Sequence, residues 1–178
     1  MHFDIAIVGY GPVGAAAASM FGKKGFNIVV IEPKKDIWDI PRAVHFDGQV
    51  QRVYQSMGIS FEVEKIIDIM TGITFLNHKG NKIVSLNMNN APRKNSYHED
   101  VMFDQPKFER ILRDHAEKNK NIDFKIGSYV SKLDPKESGN LLEIFDTNTN
   151  KVSEIFASYV IGADGADSFV RKSTKIKS

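Results

Sequence analysis

Ile5-Ala6-Ile7-Val8-Gly9-Tyr10-Gly11-Pro12-Val13-Gly14 decides how this chain folds. Four apolar residues form a short strand, and a glycine loop follows at once. An alanine-rich helical stretch runs from Ala15 to Met20, and a second apolar run, Ile28-Val29-Val30-Ile31, ends on Glu32. Strand, glycine loop, helix, strand and acid in this order describe a dinucleotide-binding βαβ unit. Gly9 permits the tight turn, Gly11 lets backbone approach a pyrophosphate, and Gly14 removes a side chain where helix and strand touch. The helix N-terminus turns unpaired N–H groups and a partial positive charge toward the phosphates. Glu32 stands 32 − 14 = 18 positions past the last glycine, close to the ~20 at which a carboxylate accepts from a ribose hydroxyl. The acid favours a free ribose diol over a 2′-phosphate. A purely structural glycine turn is the alternative, and the motif does not choose between FAD and NAD.

The rest of the composition narrows the classes. A chain of 178 residues with 42% hydrophobic content buries a real core, with one domain as the default. A net charge of +2 is too small to imply nucleic acid. The short basic cluster of Arg171, Lys172, Lys175 and Lys177 reads as a solvated helix end or tail. The absence of cysteine excludes disulfides and thiolate chemistry and fits a reducing compartment. The first strand starts near Phe3 with no signal peptide before it, and Gly14 to Phe21 is too short to span a bilayer. The expectation is a cytoplasmic protein with no membrane partner. The five histidines show no metal-ligand spacing, so no metal is expected. Neither a Gly-x-Ser-x-Gly elbow nor a P-loop lysine is present.

Periodicity places the remaining elements. The first helix is expected from Pro12 to about Lys24, with Gly25 as its stop. A helix from Asp47 to Met57 is expected, capped by Asp47 and ended by Gly58, with Val50, Val53, Tyr54 and Met57 on its core face. Ile73 to Leu86 predicts two paired strands around His78-Lys79-Gly80-Asn81, and the polar stretch Asn87 to Glu99 predicts a loop. Asp104-Gln105-Pro106 opens a helix with Phe108, Ile111, Leu112 and His115 on one side and Glu109, Arg113 and Lys120 on a charged face. Strands follow at Ile122 to Ile126 and Tyr129 to Leu133. A hairpin is expected from Leu141 to Phe156, and a last strand, Tyr159-Val160-Ile161, apolar enough to be covered on both faces.

After that strand stands Gly162-Ala163-Asp164-Gly165-Ala166-Asp167-Ser168, again a small-residue turn before a helix start, with Asp167 or Ser168 as cap. Asp164 can accept from a hydroxyl or order a loop, and Gly165 lets backbone come close to a ligand. A capped turn without ligand explains the same residues. The two glycine motifs, with Gln105-Pro106-Lys107-Phe108-Glu109-Arg110 between them, stand in the order of one family. The chain resembles the N-terminal part of the single-component FAD-dependent aromatic hydroxylases of the p-hydroxybenzoate hydroxylase fold. Pro41-Arg42-Ala43-Val44-His45-Phe46-Asp47-Gly48 and Arg52 to Gly58 look most like the 3-(3-hydroxyphenyl)propionate hydroxylase branch.

The resemblance implies an α/β fold: a Rossmann-like FAD-binding domain with a parallel sheet, an antiparallel β-meander and the start of a second, substrate sheet. Residues 1–72 and 104–178 would form the FAD-binding domain, incomplete here, and 73–103 the beginning of the substrate sheet. Gly9, Gly11, Val13 and Gly14 match the family's pyrophosphate loop, and Glu32 the acid on the adenosine ribose. Arg42 matches an arginine that reaches the FAD phosphates, Gln105 a glutamine near the ribityl chain, and Val130 a backbone contact to adenine. Asp164 and Gly165 match a motif bordering FAD and the pyridine nucleotide. The implied activity is NAD(P)H-dependent hydroxylation of a phenolic ring, with FAD as cofactor and a small aromatic substrate. The flavin carries the oxygen chemistry, so no catalytic side chain is named. A non-catalytic nucleotide-binding fragment and another FAD oxidoreductase, such as a reductase or halogenase, are the alternatives. Family members are more than twice as long and carry a later Gly-Asp motif that is absent after Arg171. A truncated hydroxylase or a shortened gene product is therefore expected, with weak FAD binding. Its exposed strand edges would lead to self-association, or residues 73–103 would be disordered.

Overall fold

The computed structural model describes residues 1–89, 93 and 96–174. Among these, the elements in chain order begin with β1 (His2–Val8), α1 (Pro12–Lys23), β2 (Ile28–Glu32), β3 (His45–Asp47), α2 (Gly48–Met57) and α3 (Ser60–Glu64). They continue with β4 (Ile67–Ile69), β5 (Gly72–Leu76), β6 (Lys82–Asn87), β7 (Asp100–Phe103) and α4 (Gln105–Glu117). The last are β8 (Ile122–Ile126), β9 (Ser128–Lys136), β10 (Gly139–Asp146), β11 (Lys151–Gly162) and α5 (Phe169–Ser173). The chain divides into two compact units, Met1–Trp38 with Glu109–Ser178, and Asp39–Phe108.

The first unit is built on one sheet of strand order β8-β2-β1-β11-β10-β9. β8, β2, β1 and β11 run parallel, and β11, β10 and β9 form an antiparallel meander. Ile28, Val29, Val30 and Ile31 are all fully buried, which explains why β2 reads as an unbroken apolar run. β8 and β9 stand at opposite ends of the strand order, yet only Gly127 joins them, at φ +79°. The sheet must therefore curl so that the meander returns over the parallel strands. Phe3, Ala6, Val8, Val29 and Ile31 accordingly share a core with Val130, Leu142, Ile144, Ile155 and Ala157.

β11 joins the two halves of this sheet. It pairs with β10 over Lys151 to Ala157 and with β1 over Phe156 to Gly162. Tyr159-Val160-Ile161 is thus the end of a long strand, and it is not covered on both faces as expected. Tyr159 shares the face of Ile155 and Ala157 by the period of two. It lies past the end of β10, however, and is 71% exposed.

The second unit holds a small antiparallel sheet of order β3-β7-β4 and the separate pair β5-β6. Phe46, Tyr54, Phe103 and Phe108 cluster with ring centroids 4.8–5.9 Å apart. α2 follows its local signals: the Asp47 carboxylate accepts from Val50 N–H at 2.9 Å, and Gly58 ends the helix at φ +88°. Its buried face is Gly48, Gln51, Tyr54 and Met57, whereas Val53 is exposed. Gln51 earns its burial by donating to His98 O at 3.0 Å. The expected strands around Gly80 form as β5 and β6. Of the expected loop Asn87 to Glu99, residues 90–92, 94 and 95 lie outside the described residues, as do Lys175 and Lys177.

Candidate functional site

The two glycine motifs meet because their strands are parallel neighbours. β1 and β11 pair up to Val8 opposite Gly162, and Ala163 N–H then donates to Val8 O at 2.7 Å. Both turns therefore leave the sheet side by side at the C-terminal ends of its parallel strands, the usual ligand position in such sheets. Gly9 takes φ +100°, and a Cβ there would stand 2.4 Å from Ala163 O. A Cβ on Gly14 would stand 2.0 Å from Gly9 O. Gly14 thus makes room for the loop's own carbonyl, not for a strand side chain. Gly11 differs: it is the N-cap of α1 at φ −70°, ψ −172°, and apart from its chain neighbours no atom of the described residues lies within 4 Å of where its Cβ would stand. No side chain caps α1, Pro12 supplies no N–H, and Val13 is 71% exposed. The first turn of the helix therefore opens its remaining amides to a ligand.

Glu32 is buried at the end of β2. One carboxylate oxygen accepts from Tyr10 N–H at 2.7 Å and the other from Lys34 N–H at 2.9 Å. Each oxygen keeps a lone pair that can accept from a hydroxyl. Asp164 orders the second turn: its carboxylate accepts from Ser168 Oγ–H at 2.5 Å and from Val170 N–H at 3.1 Å. Ser168 Oγ in turn accepts from Arg171 N–H at 3.0 Å and caps α5. Gly165 stands open at φ +82°. A cavity of about 480 Å³ lies beside this turn, lined by Tyr159, Val160, Gly162, Asp164 and Arg171 among others. Val130 is buried in β9 opposite Ile144, with its side chain in the core. β9 ends the strand order, so among the described residues the outer side of its backbone has no ladder partner.

Arg42 and Gln105 belong to the second unit and are joined there. Gln105 Oε1 accepts from Arg42 N–H at 2.5 Å and from Ala43 N–H at 2.7 Å. The buried amide thus fixes the backbone at Arg42, whose own residue is exposed.

The structure also brings in residues that the sequence reading assigned elsewhere. The pattern places Glu109 and Arg113 on a charged face of α4. Their side chains are 3% and 7% exposed and form an ion pair at 2.7 Å. The Arg113 guanidinium lies 4.6 Å from the ring centroid of Tyr10, the residue between Gly9 and Gly11. Tyr10 O–H donates to Arg113 O at 3.3 Å. Burial, with the charge of Glu117 adding to it and that of Arg113 opposing it, pushes the Tyr10 phenol well above the ordinary tyrosine value. The signal available in sequence was the stripe Gln105, Glu109, Leu112, Arg113 and Ala116, all buried. It runs at helical spacing but carries two charges.

A family model described as "FAD binding domain" matches residues 2–178. A 3-(3-hydroxy-phenyl)propionate/3-hydroxycinnamic acid hydroxylase of Paraburkholderia xenovorans is 31% identical over 171 residues, covering 95% of this chain and 27% of that protein. A probable NADH-specific resorcinol 4-hydroxylase of Rhodococcus jostii is 26% identical, covering 95% and 32%. Among solved structures, p-nitrophenol 4-monooxygenase PnpA of Pseudomonas putida superposes with a TM-score of 0.87 at 21% identity, covering 97% of this chain and 44% of that one. The flavin-dependent monooxygenase PieE, solved with FAD and substrate, gives 0.88 at 23% identity, covering 99% and 32%. The chain spans between 27% and 32% of the length of these curated relatives.

Proposed function

The chain belongs to the family of FAD binding domains, and from that membership we propose that its strand-end turns hold the phosphate and sugar part of FAD. In this reading Gly9, Gly11, Val13 and Gly14 surround the pyrophosphate, and Glu32 accepts from the adenosine ribose. The Val130 backbone meets adenine, and Asp164 and Gly165 border FAD and the pyridine nucleotide. Arg42 serves the phosphates and Gln105 the ribityl chain. Residues 1–72 and 104–178 make up the FAD-binding domain, and residues 73–103 begin a substrate sheet.

Gly11 carries this reading. Its backbone suits any L-residue, and apart from its chain neighbours its Cβ would touch no atom of the described residues, so the described fold does not require glycine there. The open space faces an uncapped helix N-terminus, the place where a pyrophosphate is held by backbone N–H groups.

For the whole protein we propose hydroxylation of a small phenolic substrate with NAD(P)H as co-substrate, in the cytoplasm. The relatives named as phenolic hydroxylases support this class. Bound FAD would supply the redox and oxygen chemistry. This chain's residues bind its phosphates, orient its ribose and form part of the walls that keep water out. Among the described residues no helix is long and apolar enough to cross a membrane. Self-association through the edges of β5 and β6 belongs to the same proposal. Ile73, Phe75, Val84 and Leu86 share one face of that pair, and an isolated two-stranded hairpin is marginal in water.

Titration with FAD tests the reading. Trp38 is the single tryptophan and is 48% exposed, so its fluorescence reports flavin nearby, with calorimetry as a second measure. Saturable quenching and heat are expected, with a dissociation constant above micromolar. Neither signal at millimolar FAD, with a folded chain, overturns the proposal.

A further inference from the structure

We infer that Arg113 is a positioning residue for the nucleotide loop: through Tyr10 it fixes the Gly9–Gly14 backbone and the Glu32 carboxylate relative to each other. This inference rests on the reading that FAD binds at that loop. Tyr10 is held at three points. Its N–H donates to Glu32 at 2.7 Å, its O–H donates to Arg113 O at 3.3 Å, and its ring stands 4.6 Å from the Arg113 guanidinium. Phe124 of β8 closes the ring in at 5.3 Å. Moving the Tyr10 ring therefore moves the peptide between Gly9 and Gly11, and with it the amide that holds the ribose acid.

The chemistry at Arg113 argues against mere packing. Among the described residues its guanidinium is buried with one ionic partner, Glu109, and its Nε lies buried without a hydrogen-bond partner. Burying a charge with an unfilled donor costs stability, and a well-packed apolar side chain would avoid that cost. What an apolar chain cannot supply is a planar cation against the Tyr10 face. Leu112 and Ala116, close by on the same helix, show that this part of α4 accepts apolar residues.

The test uses the full chain with Arg113→Lys, Arg113→Met and Glu32→Gln. Arg113→Lys keeps the charge beside Glu109 but loses the planar fork, so it guards against a variant that fails to fold. FAD dissociation constants are measured at a temperature where each variant is folded. Arg113→Met is expected to weaken FAD about tenfold, as loss of an outer partner of a binding group does, and Arg113→Lys by less. In a Glu32→Gln background the effect of Arg113→Met should shrink, because both act on the Tyr10 amide. A lowered melting temperature with FAD affinity within twofold of wild type overturns the inference, and so does full additivity with Glu32→Gln. Amide hydrogen exchange without FAD supplies an independent measure. Arg113→Met should speed exchange at Tyr10 more than at the β1 and β2 amides, and uniform change overturns the inference. Absence of FAD binding in the wild type would refute the parent reading alone, and the exchange measurement would still decide the role of Arg113.

Discussion

Gly14→Ala and Gly11→Ala should separate the fold from the ligand. An alanine Cβ at position 14 would lie 2.0 Å from Gly9 O and 2.9 Å from Gly9 C. Ordinary contact starts at 3.4 Å, so the loop must give by 3.4 − 2.0 = 1.4 Å. Gly9 is poorly placed to yield. Its N–H donates to Ile31 O at 2.8 Å, and its α-carbon already faces Ala163 too closely for any side chain. Overpacking of this kind costs about 1–3 kcal/mol. Alanine in place of a helical glycine returns about 1 kcal/mol, which leaves a net loss of roughly 0–2 kcal/mol. On the proposed reading the effect on binding is larger, because the Gly9 carbonyl oxygen must move by more than an ångström and its peptide moves with it. A misplacement of about that size costs on the order of 100-fold. Gly11→Ala meets no atom of the described residues within 4 Å beyond its chain neighbours, so stability should stay within about 0.5 kcal/mol of wild type. Its methyl group occupies the space left for the phosphates, so FAD affinity should fall at least as far as in Gly14→Ala. Urea unfolding followed at Trp38 and FAD titration measure the two quantities. The reasoning is refuted if Gly11→Ala binds FAD like wild type, or if Gly14→Ala matches wild type in both stability and affinity.

Two further outcomes follow from buried phenols and open edges. Burial raises both Tyr10 and Tyr54 above the unfolded value of 10.0, so the native state holds these protons longer than the unfolded state does. The stability they contribute is complete below pH 10 and is lost as pH rises above it, by up to about 1.4 kcal/mol per pH unit for each phenol. A urea midpoint that falls between pH 9.5 and 11.5, less steeply in Tyr10→Phe, is the expected result, and a flat profile contradicts it. In gel filtration, apparent mass should rise with concentration, and Phe75→Lys with Leu86→Lys should abolish the rise by placing charges on the apolar face of β5-β6. A wild-type peak that stays monomeric at every concentration refutes association through this pair.

Local patterns in the sequence located most of the elements. Pro12 and Gly25 bracket α1, Asp47 and Gly58 bracket α2, and each acts through its own backbone or side chain within a few residues. The sequence pattern did not show what covers an element. Val53 and Val50 repeat at helical spacing, yet the buried face of α2 is Gly48, Gln51, Tyr54 and Met57. Strands β3, β4 and β7 have three or four residues each, too short for alternation to register. Tyr159-Val160-Ile161 looks like a buried strand because all three are apolar. The exposure of Tyr159 depends on where β10 begins, which is a property of a different segment.

The same distinction sorts the residues of the site. An acid at the end of the second strand reads as a ribose ligand, but Glu32 already has work without one, since both of its oxygens hold backbone amides. Asp164 likewise caps its own turn through Ser168 and Val170. Gly9 and Gly14 are required by the crowding of one turn against the other. Each of these four residues would be kept by the fold alone, so their presence in the right order identifies the architecture more firmly than it identifies a ligand. Gly11 is the exception, because the folded chain makes no demand on it. Glu109 and Arg113 are the opposite case: charges that solvent would accept at no cost are buried beneath Tyr10. Only the helical spacing of Gln105, Glu109, Leu112, Arg113 and Ala116 pointed to it, and an i, i+4 pair of opposite charge suits an exposed helix face equally well. A buried charge and an unneeded glycine lie on either side of the same loop peptide. The fold requires neither, and on the reading proposed above a nucleotide held by that peptide accounts for both.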